Sequence, residues 1–169
     1  MAATPATWRA RSCSAGFGDA VAIERADFPL PDVTDPLVAP FFAAAAAGEL
    51  RITACPSCDQ FVWYPHGPCT GCGADLDWRQ VSGAATLFSW VVVRRAFLPA
   101  FVDRVPFVTA LVALDEDPDV RLCTYIVDTP HDALRPDIPV RVVFRPLSFS
   151  TVPGREVVVP MFTPMFASA

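Results

Sequence analysis

Four cysteines carry the clearest chemistry in the sequence. Cys55 and Cys58 bracket two residues in the run C-P-S-C, ten residues follow, and Cys69 and Cys72 repeat the spacing in C-T-G-C. Two intervening residues let a tight turn aim both sulfurs at one metal, and two such turns close a tetrahedron of thiolates. Pro56 stiffens the first turn, while Gly71 and Gly73 give the second the backbone freedom that such knuckles need. The spacing predicts a structural zinc held by Cys55, Cys58, Cys69 and Cys72, with no open position on which water could be activated. Zinc binding of this kind contributes about 10–16 kcal/mol of apparent free energy at neutral pH, enough to fold a module with little core of its own.

Other readings of these residues compete. A thioredoxin-like redox site uses one CxxC beside a βαβ unit, not two facing pairs. Iron also accepts four thiolates, so the ligands alone do not exclude it. His66 stands three residues before Cys69, where a full set of cysteines leaves it no position to fill. Cys13 and Cys123 lack partner spacing; the first is expected in a flexible arm and the second in a buried strand. No catalytic set is legible. Asp115, Glu116, Asp117 and Asp119 interrupt two apolar strands and read as a solvated turn. His131, beside Asp132 and Arg135, reads as a capping or surface residue, and neither histidine has a local nucleophile pattern. A phosphate-cradling glycine loop is also missing from the sequence.

The elements that must position the cysteines follow from pattern. Residues 1–33, rich in Ala, Ser, Gly and Pro, read as a flexible N-terminal arm or one that wraps a surface. A helix is expected over 34–50: Thr34 or Asp35 caps it, Pro36 suits its first position, and Gly48 ends it. Leu37 with Phe41 and Val38 with Phe42 give it an apolar stripe, directed at its own domain or at a partner. The zinc ribbon occupies 51–80. From there the texture is β, with strands expected near 84–94, 107–114, 120–127, 138–145 and 155–162. A Pro-punctuated loop (97–106) and a short connection (129–136) join them, and a tail with Met161, Phe162, Met165 and Phe166 closes the chain. Five short strands with one irregular crossing suggest a closed Greek-key barrel over 81–169.

Composition narrows the partners. Of 169 residues, 53% are apolar, and mean hydropathy is +0.37, apolar for a soluble monomer. No uninterrupted apolar stretch reaches the roughly 18 residues of a membrane span, so the surplus points to a permanent protein partner. Net charge is −5 and every cation is Arg, the opposite of the basic footprint of a nucleic-acid binder. Phe88 and Trp90, two apart on one expected strand, share a face that could stack bases, which keeps a single-stranded nucleic-acid-binding barrel as the alternative. The N-terminus has no apolar core of signal-peptide length. Arg9 and Arg11 have a faint transit-peptide character that Asp19, Glu24 and Asp27 oppose, so a cytoplasmic location is expected.

The ordered set PLVAPFFAAAAAGEL (36–50), RITACPSCDQFVWYPHGPCTGCG, Trp78-x-x-Val81-Ser82-Gly83, PFVTALVALDE and IPVRVVF resembles the zinc-ribbon plus OB-fold proteins that accompany acyl-CoA enzymes. The resemblance covers roughly residues 34–165. It implies a mainly β chain: N-terminal helix, four-cysteine ribbon, then a five-stranded OB-fold barrel. It further implies a non-catalytic subunit bound to a thiolase-like protein: a thiolase, an acyl-condensing enzyme or a steroid side-chain aldolase. Such a subunit bridges to a neighbouring hydratase or synthase, and the resemblance leaves open whether it touches coenzyme A thioesters or shapes their channel. The long arm and the segment 148–159 depart from the family pattern.

Overall fold

From Ala84 onward the chain alternates inward and outward side chains, and that period of two becomes five strands of a closed barrel. The computed structural model describes residues 25–165. Cys13, most of the expected arm and Phe166 lie outside them. In chain order the elements are α1 (Ala39–Ala46), β1 (Leu50–Ala54), β2 (Asp77–Val81), β3 (Ala84–Val93), β4 (Phe107–Leu114), β5 (Arg121–Ile126), β6 (Pro139–Ser148) and β7 (Glu156–Pro164), with 3-10 turns at Pro99–Phe101 and His131–Ala133.

The barrel order is β3-β4-β5-β7-β6. Long antiparallel ladders join β3 to β4, β4 to β5 and β6 to β7, and Ala84↔Arg141 to Thr86↔Pro139 close the ring. β5 meets β7 in parallel at one pair, Ile126↔Phe162, and the Thr124 hydroxyl spans the splayed seam to the Pro160 carbonyl at 3.0 Å. This is the OB-fold order expected from the resemblance.

β1 and β2 form a separate antiparallel pair, Leu50↔Val81 to Ala54↔Asp77. Leu50, Ile52 and Val81 nevertheless belong to the same hydrophobic cluster as Leu87, Val112, Leu114, Val140 and Phe162 of the barrel. The base of the ribbon is therefore packed into the barrel core rather than tethered to it.

The helix is shorter than expected. A proline ring clashes with the carbonyl four residues earlier, so Pro40 cannot lie inside a helix begun at Pro36. The Asp35 carboxylate instead accepts the Leu37 N–H (2.9 Å) to form a turn, and α1 starts at Ala39 with Pro40 in its first turn. Gly48, at φ +78°, ends it as expected. The last residues of the expected arm are also packed. Leu30, 2% exposed, sits in a second cluster with Phe149, Val152 and Met161, and Arg25 donates to its carbonyl.

Three further expectations need correction. Met161 and Phe162, expected at the end of the strand near 155–162 where the tail begins, are core residues of β7, which runs on to Pro164. Cys123 is exposed, because Leu122, Thr124 and Ile126 take the inward positions of β5 and leave it the outward parity. Phe88 and Trp90 do not share a face. The β3–β4 register shifts between Leu87 and Ser89, and a shift of one residue swaps faces. Phe88 points outward beneath the Arg121 guanidinium, 3.9 Å from its ring centre, while Trp90 packs against the core.

Candidate metal centre

The local backbone on either side of the ribbon folds the same way twice. The Cys55 N–H donates to the Gln60 carbonyl and the Asp59 N–H to the Cys55 carbonyl, at 2.8 and 2.9 Å. Fourteen residues on, the Cys69 N–H donates to Ala74 and the Gly73 N–H to Cys69, both at 2.8 Å. Each hairpin-like knuckle needs one left-handed residue, supplied by Asp59 (φ +61°) and Gly73 (φ +77°). Gly73 thus does what its sequence position suggests. Gly71 has no left-handed backbone; a Cβ there would sit 3.1 Å from the Gln60 side-chain oxygen.

The two knuckles bring Cys55, Cys58, Cys69 and Cys72 together, all four sulfurs within 4.8 Å of one another. The Cys55–Cys72, Cys58–Cys69 and Cys58–Cys72 separations are 3.4, 3.6 and 3.8 Å. A zinc–sulfur bond of ~2.3 Å puts the corners of a tetrahedron about 3.8 Å apart, so the donor set fits that metal in kind, number and size. Cys55 and Cys69 face inward (0% and 2% exposed), and Cys58 and Cys72 face solvent. His66 is exposed and outside the cluster.

Electrostatics also call for a cation. Burial pushes the Cys55 thiol up, but the N–H groups of Cys58 and Ser57 and the neighbouring thiols outweigh it and bring it down to about 6. At Cys58 the Gln60 N–H favours the thiolate, yet the bonds with Cys55 and Cys69 dominate and push it up to about 12. Cys72 likewise rises: the Ala74 N–H lowers it, and Cys55 and burial raise it more. One sulfur, Cys55, ionises readily, and its charge disfavours ionisation of Cys58 and Cys72. A divalent ion removes that conflict, because coordinated thiols are deprotonated outright.

The ten-residue connector is held by contacts that spacing does not reveal. The Thr53 hydroxyl, buried, donates to the Val62 carbonyl. Trp63 lies 5.0 Å from Phe41 and 6.4 Å from Trp78 between ring centres, tying the connector to α1 and β2. Asp59 pairs with Arg79 at 2.6 Å, and that guanidinium covers Phe61. Between Phe41, Phe42, Trp63, Tyr64 and the outer side of β5 lies a mainly apolar cleft of about 590 Å³. The remaining histidine, His131, is engaged by Arg94 at 2.9 Å. Among the described residues no helix is long and apolar enough to cross a membrane.

These features have counterparts in known proteins. Residues 42–79 match the family described as ChsH2, rubredoxin-like zinc ribbon domain, and residues 78–145 match ChsH2, C-terminal OB-fold domain. A four-cysteine cluster in such a ribbon is consistent with structural zinc. Among solved structures, the chain is similar to the ChsH2 subunit of an Ltp2-ChsH2(DUF35) aldolase, at 29% identity and TM-score 0.66. That match covers 80% of this chain and 98% of that one. It shares the fold of a DUF35-family protein of unknown function from Sulfolobus solfataricus, at 12% identity and TM-score 0.52, over 79% of this chain and 89% of that one. No curated protein sequence matches it. With its ribbon and barrel matched in sequence order by the two ChsH2 domain models, the chain belongs to the ChsH2/DUF35 family.

Proposed function

We propose that the chain is a non-catalytic accessory subunit of a thiolase-like acyl-CoA enzyme (a thiolase, an acyl-condensing enzyme or a steroid side-chain aldolase), with Cys55, Cys58, Cys69 and Cys72 holding a structural zinc. The observation that carries this reading is the likeness, over 80% of this chain and 98% of the other, to the ChsH2 chain of an aldolase assembly that also contains Ltp2. The site agrees with it. Four sulfurs spaced for a tetrahedron leave a metal no open position, so the centre stabilises rather than reacts. Zinc, when bound, supplies charge neutralisation and a cross-link between the knuckles. The chain's own residues do the rest: Asp59 and Gly73 turn the backbone, and Trp63 and Thr53 hold the connector against α1 and β1. Any share in shaping an acyl-CoA channel falls, in this reading, to the apolar cleft beside Trp63 and β5.

The nucleic-acid alternative loses its supporting feature, because Trp90 packs against the core while Phe88 faces outward. The test is purification of the tagged full-length chain from its native cells at low and high salt, followed by acyl-CoA turnover assays. A thiolase-like protein in fixed ratio, retained at high salt, with turnover by the complex and none by the isolated chain, is the expected result. Turnover by the isolated chain overturns the accessory reading.

A further inference from the structure

Large apolar side chains left in water are concentrated on one stretch of this molecule. Among the described residues, Phe97 is 88% exposed, Val102 61% and Val91 57%, with Phe88 and Leu98 also exposed. All five lie between residues 88 and 102, on β3 and the loop that follows it. Moving apolar surface out of water is favourable, so an almost fully exposed Phe beside Leu98 lacks stabilisation that a partner can restore.

The loop that presents Phe97 is built, not loose. Its 3-10 turn buries Ala100, and the Phe101 ring stacks on Phe107 at 5.7 Å and meets Phe149 edge-on at 5.1 Å. Arg104 covers Phe149 at 4.5 Å and donates to the Ser148 carbonyl, locking the loop to the β6–β7 connection. An anchor held in advance spends less ordering entropy on binding. The charge around it is also distinctive. The chain carries −5 overall, yet residues 94–104 hold Arg94, Arg95 and Arg104 against the single acid Asp103. Among the described residues Arg94 and Arg95 have no carboxylate in salt-bridge reach.

We propose that β3 and the β3–β4 loop form the surface by which this chain grips its enzyme partner, with Phe97 as the anchor in an apolar socket edged by carboxylates. The proposal rests on the accessory-subunit reading. A protein fits better than a membrane on two grounds. Three apolar side chains (Phe97, Leu98 and Val102) on a loop with a local charge of about +2 give only marginal bilayer affinity. Phe88 and Val91 also continue the patch down the side of a strand, where a protein face covers them and a bilayer meeting the tip does not.

The experiment uses the full-length chain and the thiolase-like enzyme that co-purifies with it, with affinity measured at two salt concentrations. Phe97→Asp is expected to weaken binding at least tenfold, and Arg95→Glu to weaken it more at low salt than at high. Leu37→Asp, exposed but outside the patch, leaves affinity unchanged. Retained zinc content and circular dichroism show that each variant is folded. Wild-type affinity in Phe97→Asp overturns the surface assignment while the accessory reading stands. Failure of the unmodified chain to bind the enzyme overturns both. Phe97-dependent sedimentation with phosphatidylserine vesicles, with enzyme binding intact in Phe97→Asp, replaces the protein partner with a membrane.

Discussion

Asp59 and Gly73 hold the same station in two copies of one turn. Each lies four residues beyond the first cysteine of its pair, each has a left-handed backbone, and each N–H closes onto that cysteine's carbonyl. Glycine accepts this conformation without strain, and Asp is among the few other residues that visit it routinely. The pair of turns thus obeys one backbone rule with two different residues.

Gly73→Val therefore imposes a left-handed β-branched residue, at a cost of about 1–2 kcal/mol, and weakens metal retention. Asp59→Asn tolerates the conformation and loses only the exposed pair with Arg79, worth at most ~1 kcal/mol. Chelator competition on both variants checks the contrast. Equal zinc affinity in the two would remove the role assigned to backbone conformation.

Cys55→Ser or Cys72→Ser is expected to abolish binding of one zinc per chain and to lower thermal stability. Because Leu50, Ile52 and Val81 of the ribbon strands share the barrel's core, the loss should appear as one lowered transition for the whole chain. Metal analysis and calorimetry decide it. Loss of zinc with an unchanged melting temperature, or with the partner enzyme's activity and complex intact, contradicts a structural role.

Much of this was legible because the signals are local. Cysteine spacing picks out the four residues whose sulfurs converge, and the apolar run FVTALVAL, closed by the acidic turn at 115–119, marks β4, whose alternate residues Val108, Ala110, Val112 and Leu114 face the core. The same arithmetic applied to Leu122, Thr124 and Ile126 places Cys123 outside, so its exposure was open to a careful count. The extra residue at Phe88 was not, since a bulge conserves composition and interrupts only the register. Nor was the Thr53–Val62 bond, which depends on how the connector returns to β1. Asp59 had a signal of a different kind: its offset from Cys55 equals that of Gly73 from Cys69.

Gly83→Ala is expected to be among the most damaging small changes in the barrel. Gly83 joins ribbon to barrel at φ +78°, and an added Cβ would lie 2.2 Å from a Val142 methyl carbon. Left-handed strain and overpacking together suggest a loss of about 2–4 kcal/mol. Val142→Ala should relieve the contact and not the strain, recovering part of the loss in the double variant. Denaturant titration of the two single variants and the double measures the coupling; additive effects would mean that the clash is not the cause.

Close to that junction, the Glu116 carboxylate accepts the Ser82 N–H at 2.5 Å, stapling the β4–β5 turn to the end of the ribbon. Partial burial raises its pKa, but the bonds from the Ser82 N–H and hydroxyl outweigh it and hold the carboxyl below its ordinary value. A folded-state pKa below the unfolded one means that the charged form is favoured by folding. Its stabilisation is complete above the unfolded carboxylate range and disappears as pH falls through the folded value. Glu116→Gln should therefore melt lower than the unmodified chain at neutral pH. The difference should be modest because the group is largely exposed, and the two should converge in acid below the folded pKa. Melting temperatures across pH check the sign: a gap that widens on acidification would assign the staple to something other than the charged carboxylate.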